Sequence, residues 1–191
     1  MLEIKRLSPV IGAEVSGANL ISPNDDEFKE LEQALSEYSV LFFRDQPRLS
    51  PKQQVAFATQ FGPLHSHPAA PVLEDDEAIF VIKTDANSKV ANGNGWHTDV
   101  SCDNEPPLVT MLQLHQLPET GGDTLFSSMY AAYETLSPKM KIFLADLDAS
   151  HESEHVYQGR YSDRGVEDKS EYPSSIHPIV ASHPISKRPT L

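Results

Sequence analysis

The residues of this chain best placed to do chemistry together are His97 and Asp99, within Gly95-Trp96-His97-Thr98-Asp99-Val100-Ser101. The stretch follows an Asn/Gly-rich loop at 91–95 and reads as the start of an alternating, strand-like segment. In a strand, side chains two apart project to one face, so the imidazole and the carboxylate can converge on a single atom. They supply two of the three donors of a 2-His-1-carboxylate site, which binds Fe(II) and keeps positions open for oxygen and substrates. Spacing alone decides little: with eight histidines, a chance His-x-Asp is expected in roughly half of such sequences. On the tripeptide alone, a surface histidine beside a turn aspartate is the commoner arrangement. Zinc, in a hydrolase, accepts the same two donors.

The elements that would position this pair can be read from periodicity. Residues 2–7 alternate apolar and polar, and 11–17 form a second short strand bounded by glycine. From Asp25 the spacing turns helical, with Phe28, Leu31, Leu35 and Tyr38 three or four apart and acids crowding the first turn. Residues 40–43 are a short apolar run suited to a buried strand. Ser50-Pro51-Lys52-Gln53 starts a helix with a capping box and proline at the first position. Val55, Ala58 and Phe61 are its expected buried face, and Gly62-Pro63 its end. Further strands are expected at 78–84, 108–114 and 124–127, the last after the turn Thr120-Gly121-Gly122-Asp123. Helical spacing returns at 129–136, and Ser137-Pro138 opens another helix with Met140, Phe143 and Leu147 facing inward. A weak strand at 149–155, a mobile loop or lid at 157–172 and a short strand at 177–180 complete the chain.

Many short strands and few helices, punctuated by fifteen prolines, suggest a mainly β fold, a sandwich or jelly roll with helices packed outside. Parallel β-α-β organisation fits less well, and Gly121-Gly122 lacks the rest of a phosphate-binding loop. At 191 residues the chain is expected to be one domain with a real core. A net charge of −13 argues against nucleic-acid or anionic-membrane partners, whose phosphates must be neutralised. The single cysteine, Cys102, leaves no internal disulfide and fits a reducing compartment. Without a signal-like or membrane-spanning run, a soluble cytoplasmic protein is the expectation.

Around Trp96-His97-Thr98-Asp99-Val100-Ser101 the chain resembles the taurine dioxygenase-like (TauD/TfdA) family of Fe(II)- and 2-oxoglutarate-dependent oxygenases. Residues 11–17, Phe43-Arg44-Asp45-Gln46 and Phe61-Gly62-Pro63-Leu64-His65 are similar to further family motifs in the same order. So are 117–125, Ala131-Ala132-Tyr133-Glu134-Thr135-Leu136-Ser137 and the late His177-Pro178 and His183-Pro184. The resemblance implies a double-stranded β-helix (jelly roll), incomplete at the C-terminus in this chain.

Residue by residue, it implies that His97 and Asp99 are metal ligands and that Thr124 helps hold a carboxylate of 2-oxoglutarate. It places His67 and Val100 in the primary-substrate pocket, and gives Trp96, packed beside the metal strand, and His65 structural roles. The implied reaction hydroxylates a small organic substrate, with Fe(II) as cofactor, O2 and 2-oxoglutarate as cosubstrates, and succinate and CO2 released. In the family a second metal histidine and a 2-oxoglutarate-binding arginine follow beyond the position of Leu191. His177 and His183 match other positions and are not expected to replace that histidine. Gly93 and Ala70 stand where taurine-specific members carry larger polar side chains. Alkyl sulfonates, sulfate esters, aryloxyacids and other small carboxylates therefore remain open as substrates. A homo-oligomer is consistent with the family. A non-catalytic jelly roll that binds a metal or a small anion is the competing reading.

Overall fold

A computed structural model describes residues 2–67, 79–85, 88, 93, 95–159 and 171–191. Among these, seven short strands and five α-helices alternate with long irregular stretches. Contact density divides the chain into two units. The first comprises Met1–Phe57, Leu112–Ala149 and Pro178–Leu191, and the second Ala58–Met111 and Ser150–His177. Among the described residues no helix is long and apolar enough to cross a membrane.

In the first unit, β1 (Glu3–Arg6) pairs antiparallel with β2 (Ala13–Ser16), and β2 pairs parallel with β3 (Leu41–Phe42). The crossover between β2 and β3 is α1 (Asp25–Tyr38), so one parallel β-α-β unit is present although the general pattern argued against such organisation. Its start is a reciprocal capping box between Asn24 and Glu27, with Asp25, Asp26 and Glu27 at the positive end of the helix dipole. Its end is Ser39, left-handed at φ 64°, whose N–H closes on the Leu35 carbonyl at 2.8 Å. Gly12 N–H then bonds the Tyr38 carbonyl and Ala13 N–H that of Val40, at 2.8 and 2.9 Å. These bonds tie the helix end to β2 and send β3 off parallel to it. Leu2, Ala13, Val15, Leu20, Leu31, Ala34 and Leu49 are buried, Ala13, Val15 and Leu31 completely.

Helix α2 (Pro51–Ala58) has the expected capping box: Gln53 accepts Ser50 N–H at 2.8 Å and the Ser50 hydroxyl accepts Gln53 N–H at 3.3 Å. Its buried residue is Phe57, whereas Val55, Ala58 and Phe61 are half-buried. The helix makes only two turns before tightening into a 3-10 turn at Thr59–Phe61, which shifts the inward face. Just before it, Gln113 acts as a strand partner made from a side chain. Its Oε1 accepts Leu49 N–H at 2.7 Å and its Nε2 donates to the Leu49 carbonyl at 3.1 Å.

Tyr130, on α3 (Met129–Glu134), ties the C-terminal part of the first unit together. Its hydroxyl bonds Ser186 Oγ at 2.8 Å, its ring lies edge-on to His183, and the Arg188 guanidinium stacks over it at 3.9 Å while pairing with Glu134. The strands β6 (Ala181–Ser182) and β7 (Pro189–Thr190) form a small antiparallel ladder there. Helix α4 (Pro138–Leu144) starts as expected, with Ser137 accepting Met140 N–H and proline in the first turn. Its apolar stripe is not inward, however. Met140, Phe143 and Leu147 are exposed, and Ile142 is 76 % exposed, because no described element covers that face.

Three expected strands are absent from the ladders. Residues 108–114 and 124–127 have irregular backbone. Burial from 107 to 114 nevertheless alternates with a period of two, which is the pattern that predicted a strand. No described strand pairs with it, and the alternation alone does not make a ladder. Leu108, Leu112, Leu114, Leu125 and Phe126 are exposed. Residues 79–84 are also irregular, with Val81 and Ile82 exposed, and Ala78 lies outside the described residues. The weak strand is real: β4 (Asp148–Glu152) pairs with β5 (Ser174–Pro178). Helix α5 (Glu154–Tyr157) replaces the end of the strand expected to reach 155 and includes the first residue of the expected loop, of which 160–170 lie outside the described residues.

Two outcomes follow from the first unit. Leu31→Ala should lower unfolding free energy by about 2–5 kcal/mol through transfer and cavity terms, and Ile142→Ala by no more than ~0.5 kcal/mol, in urea denaturation. The second concerns pH. Burial, and then the charge of Lys187, lower the His183 pKa from its ordinary 6.5. Its Nδ1 accepts Ser186 N–H at 3.2 Å, a bond lost on protonation. Folding thus favours the neutral ring, so this contribution is complete above 6.5 and is lost as pH falls below it toward the lowered folded value. Melting temperature should decline from pH ~7.5 to ~5.5, and decline less in His183→Asn, which keeps an acceptor but does not titrate.

Candidate metal site at His97 and Asp99

His97 and Asp99 lie in the second unit, on irregular and turn backbone where a strand was expected. The convergence that a strand would have provided is achieved by local hydrogen bonds instead. His97 Nδ1 bonds the Gly95 carbonyl at 2.7 Å. A carbonyl oxygen only accepts, so Nδ1 carries the hydrogen, and in the neutral ring Nε2 is an acceptor. That Nε2 faces Asp99 Oδ1, a second acceptor, at 3.2 Å. Two lone pairs so placed repel one another unless they share a proton or a metal ion. A ring N–H given to a carbonyl, with the other nitrogen turned to a carboxylate, is also the usual state of a metal-ligating histidine. The donor chemistry therefore fits two of the three protein ligands of an Fe(II) site. Both side chains are about half-exposed. Among the described residues no three His, Cys, Asp or Glu side chains are grouped to hold a metal, so these two stand as a pair.

The turn that carries Asp99 is held from several sides within the second unit. Val100 is left-handed at φ 51°, an uncommon and strained state for a β-branched residue, and its carbonyl accepts Asp103 N–H at 3.0 Å. His177 Nε2 donates to the carbonyls of Ser101 and Asp103 at 2.9 and 3.0 Å. Ser175 Oγ donates to the Cys102 carbonyl at 2.8 Å, and Cys102 itself is buried. His65 pairs closely through Nε2 with Asp103 Oδ2. The structural role expected of His65 agrees with this contact, and His177 is a strap on the turn. Asp99 Oδ2 accepts the hydroxyl of Thr110 at 2.7 Å.

The other expected residues are distributed as follows. His67 belongs to the second unit, its ring 5.4 Å from Phe80 and 5.2 Å from Tyr157, whose hydroxyl is 3.5 Å from His67 Nε2. Thr124 belongs to the first unit and is exposed, just after Gly121 and Gly122. Both glycines have positive φ, 78° and 75°, a pair of conformations that other residues adopt only with strain. Trp96 does not pack beside the expected strand: it is 72 % exposed, and the described residues 95–100 form none. Gly93 has φ +76°, and a Cβ there would lie 3.8 Å from His97 Cε1, so this position borders the imidazole. Ala70 lies outside the described residues. Thr110 and Asp103 were not singled out from sequence, and His177 was read there only as part of a His-Pro motif. Thr110 was legible only as the polar residue of an apolar run, Leu108-Val109-Thr110-Met111-Leu112.

Comparison with known proteins agrees with this chemistry. The family model described as taurine catabolism dioxygenase TauD, TfdA family matches residues 3–191. An alkylsulfatase from Acinetobacter baylyi is 34 % identical over 200 residues, covering 100 % of this chain and 62 % of that protein. An (S)-phenoxypropionate/alpha-ketoglutarate-dioxygenase from Sphingobium herbicidovorans is 33 % identical over 203 residues, covering 99 % of this chain and 69 % of its own length. Among solved structures, a taurine dioxygenase from Burkholderia xenovorans is similar with a TM-score of 0.75 at 29 % identity, covering 100 % of this chain and 62 % of that one. The chain thus spans a little under two thirds of the alkylsulfatase and of the solved structure.

Proposed function

Because this chain belongs to the taurine catabolism dioxygenase TauD, TfdA family, we propose that it carries the metal-binding pair of an Fe(II)- and 2-oxoglutarate-dependent dioxygenase. The reaction is hydroxylation of a small organic anion, with O2 and 2-oxoglutarate consumed and succinate and CO2 released. The observation that carries this reading is the approach of two potential ligand atoms, His97 Nε2 and Asp99 Oδ1, to 3.2 Å within the family-matched span. Likeness to a solved taurine dioxygenase supports a jelly-roll domain over 1–191.

Each residue of the chain then has a defined task. His97 Nε2 and Asp99 Oδ1 hold the metal, with the Gly95 carbonyl fixing the imidazole tautomer. Bound iron with 2-oxoglutarate supplies the oxidising chemistry, and the protein supplies geometry and orientation. Thr124, following the Gly-Gly turn, donates its hydroxyl to a carboxylate of 2-oxoglutarate. His67 and Val100 line the substrate pocket. The Phe80 and Tyr157 rings restrain the orientation of the His67 imidazole, a group able to donate a hydrogen bond to an anion. Relatives named as an alkylsulfatase and a phenoxypropionate dioxygenase support a sulfate, sulfonate or carboxylate head group. The absence of a side chain at Gly93 beside the metal imidazole supports a substrate other than taurine.

The test combines binding with turnover. Anaerobic addition of Fe(II) and 2-oxoglutarate should produce the absorbance band of their chelate. Joined to the downstream segment of a full-length relative, the chain should form succinate in an Fe(II)-dependent manner, and the rate should fall at least ~100-fold, to background, in His97→Ala and Asp99→Ala. His115→Ala, at an exposed position, should keep the wild-type rate. Undiminished turnover in His97→Ala would remove that residue from the metal shell and with it this reading.

A further inference from the structure

Thr110 lies eleven residues beyond Asp99, past the Pro106-Pro107 break, yet its Oγ1 is 2.7 Å from Asp99 Oδ2. Both residues belong to the second unit. The hydroxyl donates to a carboxylate, a charge-assisted bond and stronger than a neutral pair. The two carboxylate oxygens are therefore unequal. Oδ2 is engaged by Thr110, while Oδ1 faces His97 Nε2 at 3.2 Å. His97 is treated in the same manner, with Nδ1 engaged by the Gly95 carbonyl at 2.7 Å. Each donor residue thus has one atom tied back to the protein and one left toward the shared point.

From this asymmetry we propose that Thr110 is the positioning residue of the metal site, holding Asp99 as a one-oxygen ligand. The consequence is one of coordination number. A site that must admit a chelating cosubstrate and oxygen needs open positions, and a carboxylate binding through both oxygens would occupy one of them. Engaging Oδ2 with a hydroxyl keeps that position free and restricts rotation of the carboxylate about its own bond. The alternating burial of 107–114 places Thr110 on the same, more exposed side as Leu108 and Leu112, and it is the side chain there that can donate. An apolar residue in its place would release Oδ2.

This inference rests on the proposed metal site, and the experiment separates the two. Fe(II) alone is titrated anaerobically into the full chain and into Thr110→Val, Thr110→Ala and Thr110→Ser, each also melted without metal. Thr110→Val and Thr110→Ala should weaken Fe(II) binding about 10-fold or more, and Thr110→Ser should restore it to within about twofold of wild type, as expected for loss and return of a ligand-orienting bond. A hydroxyl that merely stabilised the turn would lower the metal-free melting temperature and leave Fe(II) affinity unchanged. Wild-type affinity in the valine or alanine variant, or a serine variant as weak as alanine, overturns the role given to Thr110 while leaving the metal site intact. If valine does not fold, the alanine and serine pair makes the same decision. A wild-type chain whose binding of Fe(II) is no stronger than that of His97→Ala overturns both.

Discussion

Everything the site can do depends on holding two atoms together: His97 Nε2 and Asp99 Oδ1, at 3.2 Å. They are kept in place because their other polar atoms are already committed, one to the Gly95 carbonyl and one to the Thr110 hydroxyl. A proton or a metal ion shared between the two atoms completes the pair. This is how a half-exposed pair, without deep burial, can be poised for a metal.

The same economy of short-range bonds shapes the turn beneath it. A left-handed valine is tolerated at position 100 because the segment around it is fixed by bonds from residues far away in sequence, including His177 on two carbonyls and Ser175 on a third. Such strain persists only where the surroundings over-determine the backbone. In the first unit the equivalent role belongs to Tyr130 and Gln113, each of which joins segments that no continuous ladder joins. Side-chain bonds to backbone and to other side chains substitute for sheet pairing where the strands are two to five residues long.

How far function was legible before the fold can be argued from particular residues. The pair His97 and Asp99 was visible from spacing and gained weight from motifs in order along the chain, because ligand identity is a property of residue type. Capping boxes at Asn24 and Ser50 were equally legible, being local in sequence. The strand expected at 97–99, the packed Trp96 and the inward stripe of α4 were not present, since each requires a partner element that local pattern cannot supply. Thr110 escaped notice for the converse reason. Its significance is one hydrogen bond to a residue eleven positions away.

The amino-acid sequence by itself determined the donor types, the family, the starts of α1 to α4 and the acidic character of the chain, all of which follow from residue identity and neighbours within a few positions. Only the tertiary structure decided which nitrogen of His97 is free, which oxygen of Asp99 is engaged and which apolar stripes are covered. The Asp99 outcome depends on the chain reversal that brings the Thr110 hydroxyl to 2.7 Å, and the His97 outcome on a turn that brings the Gly95 carbonyl to 2.7 Å, the range over which a hydrogen bond can select one atom over its twin.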